Sequence, residues 1–249
     1  MKKYRIKVLS IQILLVLTVL IIWELLAKFN LINTFIFSSP SRIFNTLLSL
    51  FNEGTLFTHM FTTYSEVIYS FVLGFIIAFI VSIILYEFKL INDVLSPFLT
   101  MLNSMPKVAL GPIIIIWCGA NSKSIIVMAL LINVIISIIT IYTGFASTDP
   151  IKIKMFKSFH ASKSQILFKL IIPSSMNTIL SSLKINISLT FIGVIMGEFL
   201  VSKKGIGYLI LYGTQVFNLN LVITGIFVLI IMSYGLYKTI SYLEKKLTR

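Results

Sequence analysis

The chain has 249 residues, 57% hydrophobic and 12% charged, with a formal net charge of +13. Soluble domains carry about 25% charged residues, so this composition is that of a membrane protein; a disordered chain is excluded, and so is a disulfide scaffold, because Cys118 is the sole cysteine. With two histidines and eight acids a built-in metal centre is not expected, and the basic excess points either to nucleic acid or to basic loops on one face of a membrane.

Six apolar stretches follow one another, each near or above the ~20 residues that cross a bilayer as a helix. They cover 8–27, 67–86, 94–119, 124–148, 176–200 and 219–237. The first resembles a cleaved leader in its basic start, but its apolar core is long and Ala27-Lys28-Phe29 offers no small-x-small site, so it is read as a retained span. The third contains Lys107 together with Pro97, Pro106 and Pro112; the fifth contains Lys184 and Glu198. Lipid requires each segment to satisfy its own backbone, so helices are expected despite the β-branched content. The expected fold class is all-α, a polytopic membrane protein of six transmembrane helices in a single domain over 1–249. With the N-terminus inside, fourteen of the 21 basic residues fall on inner segments and five on outer ones. That asymmetry predicts both termini in the cytoplasm.

The polar sequence between spans has its own signals. In the outer segment 30–64, Ser39-Pro40 predicts a helix start, Ile43, Phe44, Leu47, Leu48 and Phe51 recur at helical spacing, and Asn52-Glu53-Gly54 predicts a stop, which together read as an interfacial helix. In the inner loop 150–173, Pro150 suits a first helical position, and Ser162 with Gln165 has capping-box spacing. Two short helices are thus expected to meet near His160-Ala161, the second ending at or before Ile172 because Pro173 follows. Ile153, Phe156 and Phe159 are expected on one face of the first helix, opposite its lysines, which suits either a topology-setting loop on the lipid surface or a docking element for a soluble partner. Gly205 and Gly207, before Tyr208, permit a tight re-entrant turn of the backbone.

At the inner loop the sequence resembles the permeases of binding-protein-dependent ATP-binding-cassette importers, and within them the nitrate, taurine and alkanesulfonate type. Their cytoplasmic signature reads Glu-Ala-Ala, three residues, Gly, then Leu/Ile-x-Leu-Pro; here His160-Ala161-Ser162 and Ile172-Pro173 fit it. Ser39-Pro40, Pro106-Lys107-Val108-Ala109-Leu110-Gly111-Pro112, Trp117-Cys118-Gly119 and Lys204-Gly205-Ile206-Gly207-Tyr208-Leu209 match further motifs in order. The departures are Lys154 in place of the Glu, Phe156 in place of an Ala and His160 in place of the Gly. A residue forced to positive φ in place of Gly costs about 1–2 kcal/mol, although His tolerates it better than most.

The resemblance implies a type I importer permease (MetI-like) architecture with a permease core over 64–249, in a bacterial cytoplasmic (plasma) membrane. It implies a subunit without chemistry or cofactor of its own, ATP and Mg being bound by a partner ATPase. A second permease copy, most simply a homodimer, and an extracytoplasmic substrate-binding protein complete the set, with no nucleic acid. Coupling to the ATPase would use Ile153, Lys154, Phe156, Phe159, His160, Ala161, Ser162 and Pro173. Taurine or an alkanesulfonate is the expected cargo, with nitrate or a thiamine/pyrimidine-type precursor as the alternative.

Ionisable and amide groups inside spans are functional candidates by default. Lys107, beside Pro106, is the first choice for contact with an anionic substrate, unless it caps a carbonyl freed by the proline. Glu198 suits a gate or a structural hydrogen bond, and Asn133 either lines the path or joins helices. Lys184 lies close enough to the inner end to snorkel. A membrane-embedded enzyme would need clustered acids, histidines or a nucleophile, and the acids here are scattered. A transporter or channel working without an ATPase, and a permease-like scaffold that no longer transports, are the other competitors.

Overall fold

The structure is a computed structural model that describes residues 2–247. Arg249, counted above with the basic tail, lies outside them. Among the described residues the elements are helical throughout. Helix α1 (Lys2–Lys28) is followed by α2 (Thr34–Phe37), α3 (Pro40–Asn52) and α4 (Thr55–Glu87). Next come α5 (Lys89–Ser104), a 3-10 turn (Lys107–Leu110), α6 (Gly111–Cys118) and α7 (Ser122–Ala146). The inner loop forms α8 (Pro150–Ser158), α9 (Lys163–Ile166), a π-helical turn (Leu167–Ile171) and α10 (Ile172–Ser174), which leads into α11 (Met176–Val201). The chain closes with α12 (Ile206–Gln215) and α13 (Leu219–Leu247).

Helices α1, α4, α7, α11 and α13 are long and apolar enough to cross a membrane. The sixth stretch is not one rod. α5 and the segment after it meet at an 88° bend around Met105-Pro106, so the third apolar stretch is a bent pair, with the form of either a broken span or a re-entrant loop. Pro106 removes a backbone donor and forces the preceding residue out of helical geometry, which explains the position of the break. Pro97, by contrast, sits inside α5.

Several local signals act as read. Ser39 caps α3, its Oγ accepting from the Arg42 amide at 3.4 Å, and Gly54 ends the segment at φ +70°. Ser162 and Gln165 form the capping box in both directions. Other expectations need correction. α4 begins at Thr55, twelve residues before its charge-free run, because Thr62, Thr63 and Glu66 are tolerated inside the helix. Pro173 does not stop the helix it follows. The preceding turn widens so that the Ile172 amide bonds to the Leu167 carbonyl, and the altered ladder accommodates a residue without an N–H. At the Gly205–Gly207 stretch only Gly205 has positive φ, at +112°, and Gly207 is buried inside α12, which is too short to span.

The chain divides into two compact units, Met1–Phe61 with Lys204–Leu229 and Thr62–Lys203 with Ile230–Arg249. In the first, α1 is tied to α3 by the Ser41 amide on the Glu24 carboxylate at 2.9 Å, and Trp23 stacks on Phe227 at 6.3 Å. The apolar side chains of α1 from Ile6 to Ile22 are otherwise exposed, as a lipid-facing helix requires. The second unit is built on α7 against α11. A Cβ added at Gly193 would collide with the Ala129 backbone, and one at Gly197 would lie 2.9 Å from the Ile125 Cα, so both positions must be small for the helices to approach. Phe145, Ile141, Ile171 and Leu85 form the fully buried centre of its core.

Candidate functional site

In the second unit the polar side chains of α4, α7 and α11 converge on one seam. Asn133 of α7 is completely buried; its Nδ2 donates to Thr190 Oγ1 on α11 at 2.7 Å and to the Ser70 carbonyl on α4 at 3.4 Å. One turn away, Asn186 donates to Ser137 Oγ at 3.0 Å, and Thr190 donates back to the Asn186 carbonyl at 2.7 Å. Ser82 of α4 donates to the Ile138 carbonyl at 3.1 Å. Thus Asn133 is enclosed by its own protomer, in the position of a helix-joining residue.

Glu198, also completely buried, accepts a hydrogen bond from Thr63 Oγ1 of α4 at 2.6 Å. The sequence reading missed Glu66, which is buried beside Glu198 and Ser122. It stands one residue before the charge-free run and counts there only as one of the scattered acids; its helical spacing of four to Ser70 is the signal that places it on the same face. Lys107 opens the 3-10 turn after the break, and its ammonium donates to the Asn103 carbonyl at 3.1 Å. That carbonyl belongs to the last turn of α5, where no helical amide remains to satisfy it. Lys184 forms an ion pair with Glu244 of α13 and lies over the Tyr237 ring, 5.9 Å from its centroid. The structure therefore separates the ionisable candidates: Glu198 and Lys184 bind helix to helix, and Lys107 sits at the bend.

The basic loop is the second candidate. Asp149 caps α8, its carboxylate accepting from the Ile151 amide at 2.8 Å. The helix ends at His160, whose φ is +55°, the left-handed conformation that the resemblance places at a glycine. Ala161 then returns its amide to the Phe156 carbonyl at 3.1 Å, and Ser162 starts α9. The expected single face of Ile153, Phe156 and Phe159 divides in two. Ile153 and Phe156 are half-buried and pack against the core centred on Phe145 and Ile171. Ile151, Met155 and Phe159, spaced by four, form a separate outward stripe, 75%, 49% and 77% exposed. Lys154 and Ser162 are exposed, and Pro173 lies at the foot of α11 on the same loop. A cleft of about 350 Å³ between α8 and α9 is lined by Met155, Phe156, Phe159, Gln165 and Lys169. It combines an apolar floor with one basic wall residue, Lys169.

In the first unit, the Gly205 amide donates to His59 Nδ1 at 3.0 Å, and the His59 ring stacks on Tyr208 at 6.0 Å. Gly205 and Tyr208 thereby fix the entry to α12, while Gly207 supplies a buried position without a side chain.

The family described as the binding-protein-dependent transport system inner membrane component matches residues 70–249. A probable ABC transporter permease protein of Haemophilus influenzae is 28% identical over 231 residues, 93% of this chain and 94% of that protein. The formylaminopyrimidine transport permease protein ThiX of Halalkalibacterium halodurans is 26% identical, covering 77% of this chain and 76% of its own. The putative aliphatic sulfonates transport permease protein SsuC of Bacillus subtilis is 24% identical over 95% of this chain and 86% of its own. Among solved structures, the inward-facing MetNI methionine ABC transporter matches with a TM-score of 0.66 at 17% identity, over 77% of this chain and 95% of that one.

The seam is open to a direct test by a double-mutant cycle. Thr190→Val and Asn133→Ala are each expected to destabilise the detergent-solubilised protein by about 1 kcal/mol. The double variant is expected to cost less than their sum by roughly 0.6–1.7 kcal/mol, read from thermal unfolding.

Proposed function

The chain belongs to the binding-protein-dependent transport system inner membrane component family, and from that premise we propose that it is the pore-forming, non-catalytic subunit of an importer for a small organic anion. It lies in the cytoplasmic membrane with both termini and the α8–α9 loop in the cytoplasm. Fourteen basic residues on that side against five on the other support the orientation. ATP is bound and hydrolysed by a separate ATPase, a second copy of the chain completes the pore, and an extracytoplasmic binding protein delivers the cargo.

The observation that carries the reading is the two-sided helix α8. Its Ile153 and Phe156 side holds it to the core of the protomer, and its Ile151, Met155 and Phe159 side is free to enter an apolar groove of the ATPase. Because one face is anchored inside, movement of the ATPase is passed to α7 and α11 rather than absorbed by a loose loop. The left-handed His160 makes the sharp break that separates α8 from α9, so the helix presents its full length. Lys107 supports an anionic cargo. Its ammonium uses one donor on Asn103 and retains others at the bend of the third span. The relatedness to sulfonate permeases favours a sulfonate, and that to a formylaminopyrimidine permease keeps the pyrimidine precursor as the second reading.

Two substitutions separate docking from folding. Ile151→Asp and Phe159→Asp are expected to leave the thermal midpoint within a few degrees and to abolish copurification of the ATPase and cargo uptake. Phe156→Asp is expected to lower the stability of the permease itself by about 3 kcal/mol, since it places a charge in the core. Unchanged uptake in Phe159→Asp and Ile151→Asp membranes would overturn the docking assignment. For the cargo, taurine, an alkanesulfonate, nitrate and formylaminopyrimidine can each be offered to the cognate binding protein. A sulfonate is expected to raise its melting temperature most; a larger rise with the pyrimidine selects the second reading.

A further inference from the structure

A second cleft, of about 390 Å³, lies among α3, the start of α4, α12 and Asn218, in the first unit. By the alternation of the spans along the sequence, the segments that wall it are outer ones. Three of its wall residues form a column of rings: His59 stacks on Tyr208 at 6.0 Å and 18°, and Tyr208 on Tyr212 at 6.1 Å and 22°. His59 Nδ1 is occupied by the Gly205 amide, so in this arrangement that nitrogen carries no proton. The one formally charged residue in the wall is Glu53, whose Oε1 accepts from Ser49 Oγ at 2.9 Å. Neither lysine nor arginine lines the cleft, although the outer segments carry more bases than acids. The free end face of the column, on Tyr212, together with a single carboxylate and no competing base selects a cation.

The mouth is open. Glu53 is exposed and Tyr212 is 44% exposed, whereas sites for free small molecules enclose about 70–90% of the ligand. A partner must supply the missing roof. We propose that this cleft receives a lysine or arginine side chain of the extracytoplasmic binding protein, the cation lying between Glu53 and the free face of Tyr212. The inference rests on the importer reading above and adds a specific contact to it. Lys107, Asn133 and Glu198 are not among the residues that line the cleft, so the contact is distinct from the proposed path.

The test uses the full permease–ATPase complex in nanodiscs and the cognate binding protein in solution. Glu53→Gln is expected to weaken binding about tenfold and to flatten its dependence on salt, and Tyr212→Ala to weaken it several-fold. An alanine scan of the binding protein's surface lysines and arginines is expected to find one residue whose effect disappears in the Glu53→Gln background. Glu53→Gln removes an exposed charge, and an unchanged thermal midpoint of the complex separates lost contact from lost fold. Affinities within twofold of wild type for both variants would overturn the contact and leave the importer reading standing. Failure of the wild-type complex to bind the binding protein at all would overturn both. A change confined to retention of phosphatidylethanolamine over phosphatidylglycerol, with binding-protein affinity intact, would assign the cleft to a lipid headgroup and so refute the proposal.

Discussion

In hydrocarbon, a helix satisfies its own backbone; a Ser or Thr can still turn back to a carbonyl four residues earlier, as Thr18 and Thr143 do, but a buried Asn or acid in a span needs a partner from another helix. That constraint organises the second unit. Asn133 stands between α4 and α11, Thr190 and Asn186 continue its hydrogen bonds along α11, and Glu198 closes the outer end on Thr63. The seam acts together with small residues: Gly193 and Gly197 let α11 come near enough to α7 for these short side chains to meet. Neither device works alone, because the hydrogen bonds need close helices and close helices in lipid gain little without directional contacts.

A rigid three-helix centre gives the rest of the architecture its purpose. The π-helical turn carries the backbone from α9 past Pro173 to a single non-helical residue, Ser175, after which α11 of the seam begins. The third span is constructed in the opposite way. Pro106 interrupts it, and the carbonyl exposed at the end of α5 is met by Lys107 rather than by an amide. The seam thus joins long helices, whereas the bent backbone at Pro106 holds Lys107.

Much of this could be read from the sequence where the governing physics is local. Ser39-Pro40, Asp149-Pro150 and the Ser162–Gln165 pair each mark a helix start through a hydrogen bond made within three residues, and all three starts stand. The residues that failed to declare themselves depend on tertiary neighbours. α8 has apolar residues on two sides, and spacing alone cannot assign Ile153 and Phe156 to the core and Ile151, Met155 and Phe159 to the outside. Pro173 signals a helix end in any isolated segment, and only the wider turn before it removes that conflict. Glu66 stands just outside the run that starts at Val67, because charge-free runs locate spans by exclusion and so count a buried acid out of the helix that contains it. The aromatic column in the outer cleft joins residues about 150 positions apart along the chain, beyond any periodic pattern.

The central claim is that this chain moves cargo only when an ATPase works at its basic end and a binding protein at the other. Proteoliposomes with the permease–ATPase complex inserted so that α8 faces the bath permit the most direct measurement, with the binding protein and labelled cargo sealed inside and ATP added outside. The account predicts cargo export from the lumen that requires both ATP and the binding protein and stops when either is left out. Transport of the same cargo by vesicles holding the permease alone, without ATP, would contradict it.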